Sequence, residues 1–291
     1  MPEKATSQQL QNIIDSLGNT VSINGFKHPE IDPVFFSIAG LELRWYSLAY
    51  LFGIIFGYIL CNYLNNNHST KKINEKAIEN LPLWVILSII LGGRIGYVLF
   101  YNFEYYLNNP AEILQVWQGG MAFHGGVIGV IIGIFVFSKM YREKFLQVTD
   151  LIAVVCPIGL FLGRCANFIN MELVGRKCEY YQWCVIYPNE NFARYPSQIF
   201  EAATEGVLLL LIMLVLAIKF KILNRTGYAS AIFLMLYAVF RFACEFFREP
   251  DVQLGFIIEE ITMGQVLSVF MFTIGLAVYF VSAKLLKQNK I

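Results

Sequence analysis

The sequence predicts an all-α polytopic membrane protein: seven transmembrane helices, the N-terminus outside, the C-terminus cytoplasmic, and small extracytoplasmic arm and loop elements. Three observations carry that expectation. First, the 291 residues are 57% hydrophobic and 15% charged, whereas a soluble domain is nearer half apolar and about a quarter charged. Second, seven apolar runs are each long enough to cross roughly 30 Å of hydrocarbon at about 1.5 Å per residue. Third, lysine and arginine gather in alternate loops. A net charge of +1 offers no bulk attraction for nucleic acid.

Residues 1–32 read as a polar arm of low order, without the apolar segment of a cleavable signal peptide. The first apolar run is therefore expected to act as an uncleaved signal-anchor. Val34 to Trp45 alternate weakly around Gly40, which suits a short hairpin on the membrane surface. Residues 33–291 form the membrane domain, with runs at about 44–64, 80–101, 121–140, 148–166, 198–219, 228–247 and 262–285 and an outer loop at 167–197.

Orientation follows from the flanking cations. Lys71, Lys72 and Lys76 follow the first run, Lys139, Arg142 and Lys144 the third, and Lys219, Lys221 and Arg225 the fifth. Lys284, Lys287 and Lys290 mark the C-terminus, while the segment 102–120 has no lysine or arginine. The loop 167–197 is the exception, with Arg176, Lys177 and Arg194 on the outer side.

On this topology five runs place polar groups in the outer half of the bilayer, implying one polar chamber at headgroup depth. Tyr237, Arg241 and Glu245 are four apart and share a helix face, with Arg248 three later. The plain reading is a self-neutralising Arg241–Glu245 pair; a second membrane arginine, Arg164, points instead to an anion with several oxygens, such as a phosphate. His124 opens the third run beside Gly125 and Gly126, and a neutral imidazole there can accept a proton. Its plain reading is an interfacial histidine at a helix start. Neither metal nor cofactor is expected, since His28 and His68 are remote from His124 in the topology. Gly53, Gly57, Gly92, Gly93, Gly96, Gly129 and Gly133 include small-xxx-small spacings that suit helix packing. Arg94 reads either as a site residue or as a structural charge satisfied by carbonyls. Cys178 and Cys184 flank five residues of the outer loop and form a disulfide if that loop faces an oxidising space. No HExxH, GxS nucleophile motif or matched pair of intramembrane aspartates suggests a protease.

The densest polar stretch is Gly163-Arg164-x-x-Asn167-Phe168-x-Asn170-x-Glu172-x-x-Gly175-Arg176. One arginine at a membrane helix centre is disfavoured by roughly 2.5–3.5 kcal/mol on insertion scales, so a partner or a substrate must compensate it. This stretch resembles the signature of the prolipoprotein diacylglyceryl transferase family. Four further blocks agree in order: Arg44-Trp45-Tyr46, Gly92-Gly93-Arg94-x-Gly96-Tyr97, Met121-x-Phe123-His124-Gly125-Gly126, and Tyr237-x-x-x-Arg241-Phe242-x-x-Glu245 continuing to Asp251. The resemblance covers about residues 28–285. The long N-terminal arm and the Cys178–Cys184 segment depart from the family pattern without touching motif positions.

The resemblance implies transfer of the diacylglyceryl group of phosphatidylglycerol to the lipobox cysteine of a prolipoprotein, releasing glycerol 1-phosphate, at the outer leaflet of the bacterial cytoplasmic (inner) membrane. Arg164 and Arg241 would stabilise the leaving phosphate and His124 would take the thiol proton. Tyr46, Asn167, Asn170 and Tyr237 would hydrogen-bond the headgroup or the substrate cysteine region, and Glu172 and Glu245 would orient the arginines. Gly175 and Arg176 complete the signature, with Arg176 and Arg194 meeting phosphate or peptide at the surface. A phospholipid-binding transporter or flippase would also want a phosphate chamber, but should carry polar groups into the cytoplasmic half as well. A structural membrane subunit explains the glycines but not the converging polar sites.

Overall fold

The computed structural model describes residues 25–38, 41–178, 183–250, 255–258 and 261–288. Most of the arm, the hairpin tip at Gly40 and the motif residue Asp251 lie outside the described residues.

The chain enters through β1 (Phe26–Lys27) and the hairpin β2 (Val34–Ile38) and β3 (Leu41–Arg44), the hairpin expected around Gly40. The helices then follow: α1 (Trp45–Asn67), α2 (Glu75–Tyr101), the short α3 (Phe103–Asn108), α4 (Phe123–Met140) and α5 (Phe145–Ile169). After β4 (Val185–Ile186) come α6 (Ser197–Ile218), α7 (Tyr228–Cys244), the strands β5 (Phe256–Ile258) and β6 (Ile261–Thr262), and α8 (Met263–Gln288). Among the described residues, α1, α2, α4, α5, α6 and α8 are long and apolar enough to cross a membrane, making this a multi-pass membrane protein. The sixth sequence run is realised as α7, which is apolar but has 17 residues. It stops at Cys244 because Phe246 N–H and Phe247 N–H turn back to the carbonyls of Ala243 and Cys244, tightening the last turn.

Local chemistry sets the other boundaries. α2 starts five residues before its apolar run because the Asn74 side chain accepts from Lys76 N–H and caps it. α6 changes winding along its length: Ala202–Leu208 is π-helical, between α-helical Ser197–Glu201 and Leu209–Ile218.

Three pairings organise the bundle: α1 on α5, α2 on α4, and α7 on α8, with α5 also packing on α6 and α7. The α2–α4 seam brings backbone to backbone. A Cβ on Gly96 would fall 2.6 Å from the Gly125 Cα, and one on Gly92 would fall 2.6 Å from the Gly129 Cα, so only glycine permits this approach. One apolar core, with Leu64, Ile78, Phe137, Val148, Val154, Leu209 and Met213 fully buried, fills the half of the bundle towards the C-terminus of α4. At that end Asp150 of α5 accepts from Ser230 N–H and Ser230 Oγ, both at 2.8 Å, and from Gly227 N–H. This ties down the start of α7.

The described part of the arm is ordered. β1 pairs in parallel with β4, Phe26 opposite Val185 and Lys27 opposite Ile186. His28 is buried, its Nε2 2.9 Å from the Phe168 carbonyl and its ring 5.3 Å from that of Tyr187. Polar composition had suggested low order; strand pairing and this buried imidazole provide the missing anchor. Cys178 and Cys184 are joined in a disulfide beside β4.

Candidate active site

Arg164 lies in the last turns of α5 and Arg241 in the last turn of α7. They meet at α6. Arg164 Nε is 2.9 Å from Glu201 Oε2 and its Nη2 3.3 Å from Glu205 Oε2. Arg241 Nη1 is 2.7 Å from Glu201 Oε1 and its Nη2 2.6 Å from Glu245 Oε2. Arg248 Nη1 approaches Glu201 Oε1 at 3.5 Å. Three guanidiniums thus surround three carboxylates. Both glutamates of α6 are fully buried, while the side chains of Arg164 and Arg241 keep 15% exposure.

The plain reading of Arg241 and Glu245 as an intrahelical pair is thus present, but within a larger cluster. The two arginines are not bare cations awaiting an anion. Removing one partner of such a buried pair typically destabilises by about 3–5 kcal/mol, because the other charge is left uncompensated. The cluster therefore holds its guanidiniums in fixed planes, with part of each open. Glu201 and Glu205 were missed in the sequence, although they stand four apart at the head of the fifth run and are its only carboxylates. The π-helical turns begin immediately after Glu201 and include Glu205, and such turns recur at functional sites.

The signature stretch wraps this cluster. Asn167 is buried, and its Nδ2 donates to Glu172 Oε2 at 3.3 Å while Glu172 N–H returns to the Asn167 carbonyl at 2.9 Å. Glu172, expected beside an arginine, meets this asparagine instead, because the chain turns sharply after α5. Met171 and Leu173 both adopt φ 55°, in the left-handed region, which is disfavoured for side chains of this bulk. Gln198 Nε2 on the Glu172 carbonyl at 2.7 Å and Ser197 Oγ on the Leu173 carbonyl at 3.1 Å hold those turns. Asn170 ends α5, and its side-chain Oδ1 is buried without a protein partner among the described residues. Gly175 sits between the carbonyls of Tyr195 and Phe247, where a Cβ would not fit.

Arg176 donates from Nε to the Arg248 carbonyl at 2.9 Å, and its N–H goes to the Phe247 carbonyl, which braces the end of α7. Arg194 grips Glu190 at 2.7 Å and the Gly175 carbonyl at 2.9 Å. The hydrogen bond to Glu190 holds the Arg194 pKa above its ordinary value, and burial raises that of the Tyr187 phenol. Both arginines therefore shape the loop.

Tyr237 lies on α7 among Arg164, Glu205, Arg241 and Glu201. Tyr46 opens α1 beside Tyr50, ring centroids 5.2 Å apart, and Tyr50 is near Glu172. His124 stands exposed in the first turn of α4 with the Phe123 ring 5.5 Å away. Among the described residues no hydrogen bond or ion pair joins it to the arginine–glutamate cluster. Arg94 is 3% exposed and is satisfied by the carbonyls of Glu112, Ile113, Gly119 and Gly120. Among the described residues no group of acidic, histidine or cysteine side chains suits a metal ion. A cavity of about 390 Å³ lined by Phe135, Lys139, Glu143, Lys144, Thr226 and Leu285 lies at the far end of α4 from His124.

Residues 33–281 match the family described as prolipoprotein diacylglyceryl transferase. Three similar proteins carry the name phosphatidylglycerol–prolipoprotein diacylglyceryl transferase. The one from Rickettsia felis is 47% identical over 248 residues, 85% of this chain and 95% of the relative. That from Rickettsia canadensis is 45% identical over the same shares, and that from Rickettsia bellii 45% identical over 85% of this chain and 94% of its own. With this extent of match, and with the signature stretch folded around the arginine–glutamate cluster, the chain belongs to the prolipoprotein diacylglyceryl transferase family.

Proposed function

We propose that this protein transfers the diacylglyceryl group of phosphatidylglycerol to the lipobox cysteine thiol of a prolipoprotein, forming a thioether and releasing glycerol 1-phosphate, the first step of lipoprotein maturation. The observation that carries the reading is the meeting of Arg164 and Arg241, from two helices, at Glu201. The thiol sulfur attacks the glyceryl carbon, the carbon–oxygen bond to phosphate breaks, and the bonding pair leaves with the phosphate. The phosphodiester carries one negative charge and the released monoester gains a second, so the step calls for preoriented cations in a dry site. Arg164 and Arg241 supply them, already fixed by carboxylates. The thiol proton passes to His124 and then to water. Tyr46, Asn167, Asn170 and Tyr237 offer hydrogen bonds to headgroup and peptide, Glu245 orients Arg241, and Glu172 with Gly175 and Arg176 keeps the signature turn in shape.

In this reading α7 is the seventh span, since 17 residues fall at the short end of the roughly 17–25 that cross a bilayer. Residues 33–291 are the membrane domain, with the N-terminus outside and the C-terminus cytoplasmic. The site faces the outer leaflet of the bacterial inner membrane, reached by membrane lipids and by the signal-peptide region of the prolipoprotein. Purified protein, phosphatidylglycerol in detergent and a lipobox peptide test the proposal. The expected result is a peptide mass gain of one diacylglyceryl unit. No peptide product in that mixture, with phospholipid movement between leaflets once the protein is reconstituted in vesicles, would favour a transporter and sink the transferase reading.

A further inference from the structure

We propose that Arg94 is a positioning residue for the reaction and acts through His124. The inference rests on the reading of His124 as the proton acceptor. Arg94 sits on α2, 3% exposed, with no carboxylate within ion-pair distance among the described residues. Glu112 offers it a backbone carbonyl, while the Glu112 carboxylate accepts from Tyr105 at 2.7 Å. The guanidinium instead gathers backbone. Nε donates to Ile113 at 2.8 Å, Nη2 to Glu112 at 2.6 Å, and Nη1 to Gly119 at 2.6 Å and Gly120 at 3.4 Å. The Tyr106 ring covers it at 5.1 Å.

Those carbonyls come from two separate stretches of the connection between α3 and α4. The guanidinium therefore closes the connection onto α2 just before His124. The next contact continues the seam: Ala122 N–H donates to the Gly93 carbonyl at 2.9 Å. One residue later α4 begins, and Gly125 rests on the backbone of Gly92 and Gly96. His124 thus stands on a helix start pinned to α2 by Arg94, Gly93 and the glycine seam. Its exposed imidazole has no described hydrogen bond of its own, so its location depends on that backbone. A planar fork with five donors can serve carbonyls from two directions; an ammonium on a flexible stem cannot reproduce that geometry. Gly119 and Gly120 adopt φ 85° and 74°, a conformation that glycine allows and that turns both carbonyls towards Arg94.

The test is a double-mutant cycle on the full-length enzyme, measured as kcat and KM for phosphatidylglycerol with a lipobox peptide. Arg94→Lys is expected to lower kcat about tenfold or more with KM changed less than about twofold. In a His124→Gln background the same substitution is expected to change kcat less than about twofold. Gly120→Ala is the second variant: its Cβ would come 2.9 Å from Arg94 Nη1 and 2.6 Å from the Tyr97 ring, loosening the clasp without changing the arginine. It should show the same dependence on His124, including when Arg94→Lys does not fold. If neither variant folds, a role confined to stability is indicated and the proposal is overturned. Losses that multiply in full in the His124→Gln background overturn it too, while leaving the histidine's role intact. An unchanged rate for His124→Gln alone removes the reading on which the inference rests.

Discussion

Arg164 is held by Glu201 at 2.9 Å, and that carboxylate is fully buried at the point where α6 changes from α- to π-helical winding. The same carboxylate receives Arg241 from α7, so a single side chain sets the spacing of the two cations. Glu201→Gln keeps the size and removes the charge. It is expected to reduce transfer at least tenfold and to destabilise by about 3–5 kcal/mol, as an uncompensated charge remains buried. Thermal unfolding in detergent and specific activity of the folded, detergent-extracted protein check both. A fully active, equally stable variant would remove Glu201 from the site.

Arg164→Ala and Arg241→Ala should each lower transfer by roughly 10²–10³ or more, the loss typical when one preorganised donor to a developing charge is removed. Lysine at either position is expected to recover little, since each guanidinium serves two carboxylates from a planar fork. Mature lipoprotein produced at the normal rate by either alanine variant would contradict the assignment.

His124→Gln should slow transfer by roughly 10²–10⁴ near neutral pH, the usual worth of a general base. Below the ordinary thiol pKa of about 8.5, each pH unit upward gives about tenfold more thiolate. The glutamine variant should therefore regain rate from pH 6 to 9, levelling once the thiol is ionised. Initial rates across that range decide it, and a flat profile for wild type and variant alike would show that no such proton controls the step.

Asp150→Ala leaves Gly227 N–H, Ser230 N–H and Ser230 Oγ without their shared acceptor. A loss of about 2–4 kcal/mol is expected, since orphaned buried donors forfeit their hydrogen bonds. Because this contact is at the opposite end of α5 from Arg164, activity per folded molecule should hold. Melting in detergent, with activity normalised to folded protein, separates the two effects.

Most of the helical framework was legible because membrane helices announce themselves as long apolar runs, and each run in the sequence coincides with a helix to within a few residues. Arg164, Arg241 and Tyr237 were legible as polar intruders in those runs. Glu201 and Glu205 escaped because they stand at the head of a run, where a carboxylate looks interfacial; only packing of α5 and α7 on α6 buries them. His28 escaped for a different reason. A lone histidine in a polar segment carries no periodic signal, and its burial depends on β4, far away in the chain. The positions of Met171 and Leu173 in left-handed conformation had no glycine to advertise them.

The pairing of α1 with α5 around the inner pair α2 and α4 makes the first five helices a nested assembly. Chains emerge from the ribosome in order and assemble progressively. The α2–α4 glycine seam can form once α4 is inserted, yet α1 must wait until α5 arrives. When it does, Arg164 reaches the bilayer before α6, which carries Glu201 and Glu205, has left the ribosome. Biogenesis thus passes through an interval in which a membrane arginine has none of its eventual acidic partners. Translational pauses after α6 has been translated, while it is still enclosed by the ribosome, would lengthen that interval, so the speed of synthesis just beyond α6 bears on how long Arg164 waits for its carboxylates.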